Sequence, residues 1–397
     1  MLVLVAPGQG AQTPGFLTPW LELPGVADRL TWWSAVADLD LVHYGTEADA
    51  DTIRDTAIAQ PLLVASGLAA ALALFPHPAE AFGQVGAAAG HSVGELTVAA
   101  GTGAITAESA MALVRERGRA MAAAAQVTAT SMTAVLGGEA EEVLAKIAEH
   151  GLTPANNNGP GQIVAAGTIE QLAAFQADPP AKTRLVPLSV AGAFHTEHMA
   201  PAVERMGQLA KGVSARDPRV RYISNRDGHV VHSGREVLDR IVNQIANPVR
   251  WDLCMDTMRE LGVTGILELP PAGTLTGIAK RALKGVETFA FKTPDQLDQA
   301  RAFVARHAED SDPAPAASSN WRLVLAPFSG TVQRAAAVEG SVLEPGDHLG
   351  TVVSPREEQK LVAEHGGTVL EWLVEDGAAV TAGQPLIRIH PRAEVFI

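Results

Sequence analysis

The sequence predicts an α/β chain of several domains: a large α/β core interrupted by a small α+β subdomain, then a separate all-β domain. Three observations predict it. At 397 residues, the chain exceeds what one ordinary hydrophobic core serves. Apolar strand-like runs alternate with helix-length segments up to about His307, as expected of strands joined by covering helices. After that the runs become short, alternating and punctuated by glycine, which is the pattern of β structure alone.

Composition narrows the class. Hydrophobic residues make up 47% and charged ones 19%, which describes a packed globular chain. A net charge of −14 argues against nucleic acid as the main partner, since that needs a basic face. The single cysteine, Cys254, excludes an intrachain disulfide and a thiolate metal site, and no metal is expected. It lies in an apolar helical pattern and is read as core. Met1–Ala6 has no basic segment and is too short to cross a bilayer, so it is read as a buried strand, the protein as cytoplasmic, and a membrane is not expected as a partner. Two local basic clusters, Arg115–Arg119 and Lys280–Lys284, are candidates for docking an acidic partner.

Val3–Ala6 is the first strand and runs into Pro7-Gly8-Gln9-Gly10-Ala11-Gln12, a turn able to present backbone N–H groups. A helix spans Gln60 to Leu74. The small-residue strand Val85–Ala89 then leads into Gly90-His91-Ser92-Val93-Gly94-Glu95 and a further helix. Gly-x-Ser-x-Gly between a strand and a helix is the nucleophile-elbow pattern. The glycines permit a tight turn that holds the serine hydroxyl out, and the helix N-terminus aims its N–H groups at the same spot. The helix Ala107–Ala125 carries Arg117.

From Met132 the pattern changes. It gives a strand to Gly137, a helix Ala140–His150, strands Thr153–Asn156 and Gln162–Gly167, a helix Ile169–Ala177 and a strand Arg184–Val190. This βαββαβ order is ferredoxin-like. Phe194-His195-Thr196-Glu197-His198 reads as the opening of a helix, with His198 one turn beyond His195. Ala308–Asn320, acidic and then rich in Pro, Ala and Ser, is a linker. The expected domains are therefore 1–128 with 191–307 (core), 129–190 (subdomain), 308–320 (linker) and 321–397 (β domain). In the last, Gly330, Gly340, Leu343, Gly346 and Leu349 recur 37 positions later as Gly367, Gly377, Val380, Gly383 and Leu386. Two such half-domains bury their apolar faces only by packing on each other, as a small β-sandwich.

Over about residues 1–305 the chain resembles the malonyl-CoA:acyl-carrier-protein transacylases. The resemblance rests on the ordered set of Pro7–Gln12, Gly90–Glu95, Arg117-Gly118 with Met121, Ala155–Gln162, Gly192-Ala193-Phe194-His195, Asn247–Trp251 and Gly273–Gly277. Ala11 stands where serine is common, and Pro270-Pro271-Ala272 replaces a more glycine-rich turn. The resemblance implies a hydrolase-like α/β core and transfer of malonyl from malonyl-CoA to a holo acyl carrier protein. It makes Ser92 the nucleophile and His195 its base, preferred over His198 because it follows Phe194. It further gives the N–H groups of Gln9 and Val93 as the oxyanion hole and the carbonyl of Gln244 as the orienter of His195. Arg117, Met121, Phe194, Asn156 and Asn158 then bind substrate, with Arg117 on the malonyl carboxylate, while His91 shapes the elbow.

Residues 321–397 resemble biotinyl or lipoyl carrier domains, through Ala326-Pro327, Gly330–Val332, Gly346–Leu349, Gly366–Val369 and Gly383–Leu386. The turn that carries the modified lysine in such domains falls on Ser354–Glu358, with Arg356 at the lysine position and Lys360 in the following strand. Arginine forms no amide with biotin or lipoate, so no covalent cofactor is expected. Two other functions compete: a serine acyl hydrolase or thioesterase using the same Ser-His pair, and a carrier or scaffold role dominated by the C-terminal domain.

Overall fold

A computed structural model of the chain describes residues 1–75, 78–190, 192–308, 322–335, 340–363 and 366–391. It divides into two units, Met1–Ala314 and Pro315–Ile397. The expected linker lies outside the described residues except for Ala308, which ends a helix.

The strands of the first unit are β1 (Leu2–Ala6), β2 (Ala87–Gly90), β3 (Thr130–Gly137), β4 (Thr153–Asn157), β5 (Gln162–Thr168), β6 (Thr183–Pro187), β7 (Arg221–Ile223), β8 (Val230–Val231), β9 (Val249–Arg250), β10 (Gly265–Glu268) and β11 (Glu287–Ala290). The main sheet has the order β11-β10-β1-β2-β7-β8. Its pairings are parallel apart from β7 with β8. Successive side chains of β1 point to opposite faces. Val3 and Val5 join Ala87, Ala89, Trp251 and Met255 on one side, while Leu2 and Ala6 join Ala88 and the helix Thr56–Leu74 on the other. A sheet covered on both faces explains why β1 and β2 read as unbroken apolar runs.

The helix Thr56–Leu74 begins earlier than expected because Asp55 caps it, accepting from Ala57 N–H at 2.8 Å. By length and composition this helix is apolar enough to cross a bilayer, but 72% of that window is buried inside the protein, which makes it a core helix. On the helix Ala107–Ala125, Arg115 and Arg119 both reach Asp38 at 3.1 Å. Arg117 between them turns inward and is 0% exposed. The expected docking cluster at Arg115–Arg119 is thus a surface ion-pair group around one buried cation, split by the helical period.

The second sheet has the order β6-β3-β5-β4-β9. It is antiparallel except where β4 pairs with β9. Val135, Ile163 and the helices Ala140–Glu149 and Ile169–Ala177 form a small core on one face. Met132, Ala134 and Val164 on the other face belong to the main core. The stretch Asn247–Trp251, expected within the core alternation, supplies β9 to this sheet instead. A two-residue strand is too short to leave a periodic signature.

The helix expected to open at His195 starts later. A 3₁₀ turn, Glu197–Met199, precedes the helix Ala200–Lys211, and His195 itself has φ 63°. His195 and His198 therefore do not share a helix, because a left-handed residue cannot continue one.

The second unit comprises β12 (Arg322–Leu325), β13 (Gly330–Arg334), β14 (Val342–Leu343), β15 (His348–Val353), β16 (Glu358–Val362), β17 (Gly367–Trp372), β18 (Ala379–Val380) and β19 (Pro385–Pro391). They form two four-stranded antiparallel sheets, β12-β19-β17-β14 and β16-β15-β13-β18. A shift of 37 residues carries β12, β13, β14 and β15 onto β16, β17, β18 and β19, and so exchanges the sheets. Val332, Leu349, Val352, Leu386 and Ile387 fill the space within this unit. Arg356 lies exposed in the β15–β16 turn, closed by Ser354 N–H to Glu357 carbonyl at 2.8 Å, and Lys360 is paired within β16.

Candidate active site

The elbow forms at the end of β2. Ser92 has φ 53°, a left-handed conformation that costs a non-glycine residue about 1–3 kcal/mol. Neighbouring backbone makes the turn this tight. A Cβ on Gly90 would lie 2.0 Å from the Gly94 carbonyl carbon, and one on Gly94 would lie 2.2 Å from the Ala6 oxygen. Asn225, just after β7, clamps both sides: its Oδ1 accepts from Ser92 N–H at 2.8 Å and its Nδ2 donates to Gly90 O at 2.7 Å.

His195 reaches the serine from the other side, 2.8 Å from Ser92 Oγ to its Nε2. Its Nδ1 is 2.8 Å from the Gln244 carbonyl. A carbonyl only accepts, so Nδ1 carries the hydrogen and Nε2 presents its lone pair to the hydroxyl. Burial, reinforced by the Arg117 charge, lowers the His195 pKa to about 3. The ring is therefore neutral at physiological pH. His195 N–H donates to Ile245 O at 3.1 Å, which pins the residue in its left-handed conformation. His198 is not among the residues lining the cleft.

Arg117 approaches the same hydroxyl, with Nη2 3.2 Å from Ser92 Oγ and 2.9 Å from Gln244 Oε1, and Nη1 2.7 Å from Gln60 Oε1. Its Nε is buried without a partner among the described residues. Burial pulls its pKa to about 10, against the opposing charge of Glu95. Glu95 is 1% exposed and accepts from Asn225 N–H at 2.8 Å and from Gln244 Nε2. Burial raises it to about 7, against the hydrogen bonds from Asn225, Tyr222 and Gln244 and the charge of Arg117.

These groups meet at a cleft of about 270 Å³ between the two sheets of the first unit, lined in part by Gln9, His91, Ser92, Met121, Asn156 and His195. Asn158 and Phe194 line it too. Arg117, Gln244 and Val93 are buried and are not among its lining residues. Among the described residues, neither Gln9 nor Val93 gives its backbone N–H to another group. His91 Nε2 is 2.8 Å from Asn158 Oδ1, and the His91 ring packs on Trp251. Burial lowers the His91 pKa, so it ties the elbow to the smaller sheet as a neutral ring. No group of three His, Cys, Asp or Glu among the described residues is placed to hold a metal ion.

Sequence reasoning missed Gln60, Asn225, Glu95 and the side chain of Gln244. Gln60 leaves a signal, being a lone amide in an apolar helix. Asn225 leaves none, because Ser224-Asn225-Arg226-Asp227-Gly228 reads as an ordinary turn.

Residues 3–307 match the family model described as acyl transferase domain. The malonyl CoA-acyl carrier protein transacylase of Mycobacterium tuberculosis is 50% identical over 299 residues, covering 75% of this chain and 99% of the relative. The Escherichia coli protein of the same name is 31% identical, covering 74% and 96%. The crystal structure of the M. tuberculosis transacylase superposes with a TM-score of 0.73 over 76% of this chain and 99% of its own. A structure of a type II polyketide acyl-carrier protein with its malonyl-transacylase gives 0.69 at 27% identity, covering 76% and 99%.

Proposed function

This chain belongs to the acyl transferase family, as a malonyl-CoA:acyl-carrier-protein transacylase, and we propose that it passes the malonyl group through an ester on Ser92. Its activity is transfer of malonyl from malonyl-CoA to an acyl carrier protein. One observation carries the proposed route: Ser92 Oγ lies 2.8 Å from a neutral imidazole nitrogen and 3.2 Å from a buried guanidinium.

Ser92 Oγ attacks the thioester carbonyl as its proton passes to His195 Nε2. The negative oxygen is received by the N–H groups of Gln9 and Val93, whose lack of other partners supports this role. Collapse breaks the C–S bond, and the proton held on His195 goes to the departing CoA sulfur. The phosphopantetheine thiol of the holo carrier then repeats the steps in reverse, giving a ping-pong scheme. Arg117 holds the malonyl carboxylate by paired charge-assisted hydrogen bonds. Met121 and Phe194 bound the acyl pocket, disfavouring an α-methyl branch by a modest factor. Asn156 and Asn158 contribute polar contacts.

Lys280, Arg281 and Lys284 are exposed, and the helix bearing the first two also supplies Thr274, Leu275 and Ile278 to the cleft wall. That placement supports docking of an acidic carrier there. The order β6-β3-β5-β4 supports reading the smaller sheet as a ferredoxin-like subdomain on a hydrolase-like core. The exchange of two four-stranded sheets by the 37-residue repeat supports a biotinyl/lipoyl-like sandwich, left unmodified at Arg356. We place the reaction in the cytoplasm, without nucleic acid or membrane as partner.

Intact mass after exposure to malonyl-CoA tests the route. Wild type gains one malonyl unit, Ser92→Ala gains none, and holo carrier discharges the wild-type adduct. Release of CoA without acylated carrier marks hydrolysis instead.

A further inference from the structure

We propose that Glu95 is a positioning residue for Arg117, acting through the side-chain amide of Gln244 and so setting the preference for acyl chains that end in a carboxylate. The inference rests on the reading that Arg117 grips that carboxylate.

Among the described residues, no carboxylate hydrogen-bonds the guanidinium. Its partners are Gln60 Oε1, Gln244 Oε1 and Ser92 Oγ, all neutral. The balancing anion stands one amide away. Both Glu95 oxygens face N–H donors, from Asn225 and from Gln244 Nε2. An ionised carboxylate accepts and never donates, so it admits only the NH₂ end of the Gln244 amide. The carbonyl end must then point the other way, where Arg117 Nη2 donates to it at 2.9 Å. Ser92 O at 3.2 Å and Asn225 Oδ1 at 3.1 Å accept from the same Nε2, but they are neutral acceptors and weaker than the charge-assisted contact.

This arrangement also keeps a competing charge off the guanidinium, whose Nη atoms meet only the neutral acceptors of Gln60, Gln244 and Ser92 among the described residues. A carboxylate bound directly to Arg117 would occupy the fork that the acyl carboxylate must enter. Relayed through an amide, the negative charge still offsets a buried cation, and Arg117 Nε has no partner among the described residues.

Single-turnover acylation of Ser92 at pH 8 by malonyl-CoA and by acetyl-CoA tests the proposal in the full chain. Glu95→Gln keeps the size but removes the acceptor-only end. It is expected to raise the half-saturating malonyl-CoA concentration and to lower the malonyl-to-acetyl ratio about tenfold. The acetyl arm of the same preparation reports whether Ser92 and His195 still react. Equal losses in both arms make Glu95 merely structural, and an unchanged ratio removes its role; either overturns the proposal. Gln244→Met keeps the main-chain carbonyl behind His195 and deletes the relay. The same fall in ratio is expected there, and this variant decides the matter if Glu95→Gln is recovered without acetyl acylation. Arg117→Gln separates the premise from the inference. If it keeps the malonyl preference, the reading of Arg117 fails. If it loses the preference while Glu95→Gln keeps it, only the relay fails.

Discussion

A serine whose base has been pushed to a pKa of about 3 works in a different pH range from one beside an ordinary imidazole. His195 stays neutral until the medium is strongly acidic, so the acid limb of Ser92 acylation is expected well below pH 6.5. Rapid-quench acylation with acetyl-CoA across pH checks this, and a limb at 6.5 would mean the ring is far wetter than its 3% exposure indicates. Burial is the larger cause and Arg117 the second, so Arg117→Gln is expected to move the limb upward without restoring it to 6.5. With malonyl-CoA the same variant is expected to lose on the order of 100-fold in acylation rate, since the buried acyl carboxylate loses its charged partner. Glu95 titrates in the opposite sense. Its folded pKa of about 7 lies above the ordinary 4.5, so its contribution to stability is complete below pH 4.5 and is lost as pH rises through about 7. Glu95→Gln has no such loss. The stability of the variant minus that of wild type should therefore rise between those two values, whatever its constant offset, as measured by urea unfolding at several pH values. A difference that falls instead would mean that Arg117 depresses the Glu95 pKa.

At the scale of elements, the cleft depends on turns that side chains hold in place. Glu268 ends β10 and is wholly buried. Its carboxylate accepts from the N–H groups of Gly273, Leu275 and Thr276 and from Thr276 Oγ1, at 2.8 to 3.0 Å. A negative charge at the N-terminus of the helix Thr274–Ala282 also suits its dipole, and that helix walls one side of the cleft. Glu268→Ala leaves these donors buried and unpaired. It is expected to cost roughly 3 kcal/mol or more and to slow acylation, and calorimetry beside single-turnover kinetics checks both. The elbow was legible because its glycines are imposed by backbone contact and so sit at fixed spacing. The helix Ala107–Ala125 was legible because its apolar positions recur at the helical period. The surroundings of His195 were not, because Thr196 caps a 3₁₀ turn and local spacing cannot distinguish that from the first turn of a helix. β9 was hidden for a related reason: its identity comes from pairing with β4, a contact almost a hundred positions away.

In the whole molecule, the chemistry and the 37-residue repeat lie in different units. The repeat was legible because two half-domains must present matching apolar faces to each other. Glu95 and Asn225 were not, because their importance comes from charges and backbone brought together only by the folded sheet. The family match ends at residue 307, and 75% of this chain accounts for 99% of the M. tuberculosis relative. The first unit also has its own cores on both faces of its main sheet, and every group placed in the reaction belongs to it. A chain ending at Ala308 is therefore expected to fold and to malonylate Ser92 within about twofold of the full-length rate, as an independent domain should. Intact-mass time courses on the two proteins, beside their thermal midpoints, make the comparison. If the shortened chain keeps its thermal midpoint yet fails to acylate, the second unit must contribute to the cleft. If acylation is retained but transfer to holo carrier slows, the repeat acts on the second half-reaction, where a carrier protein rather than malonyl-CoA is the partner.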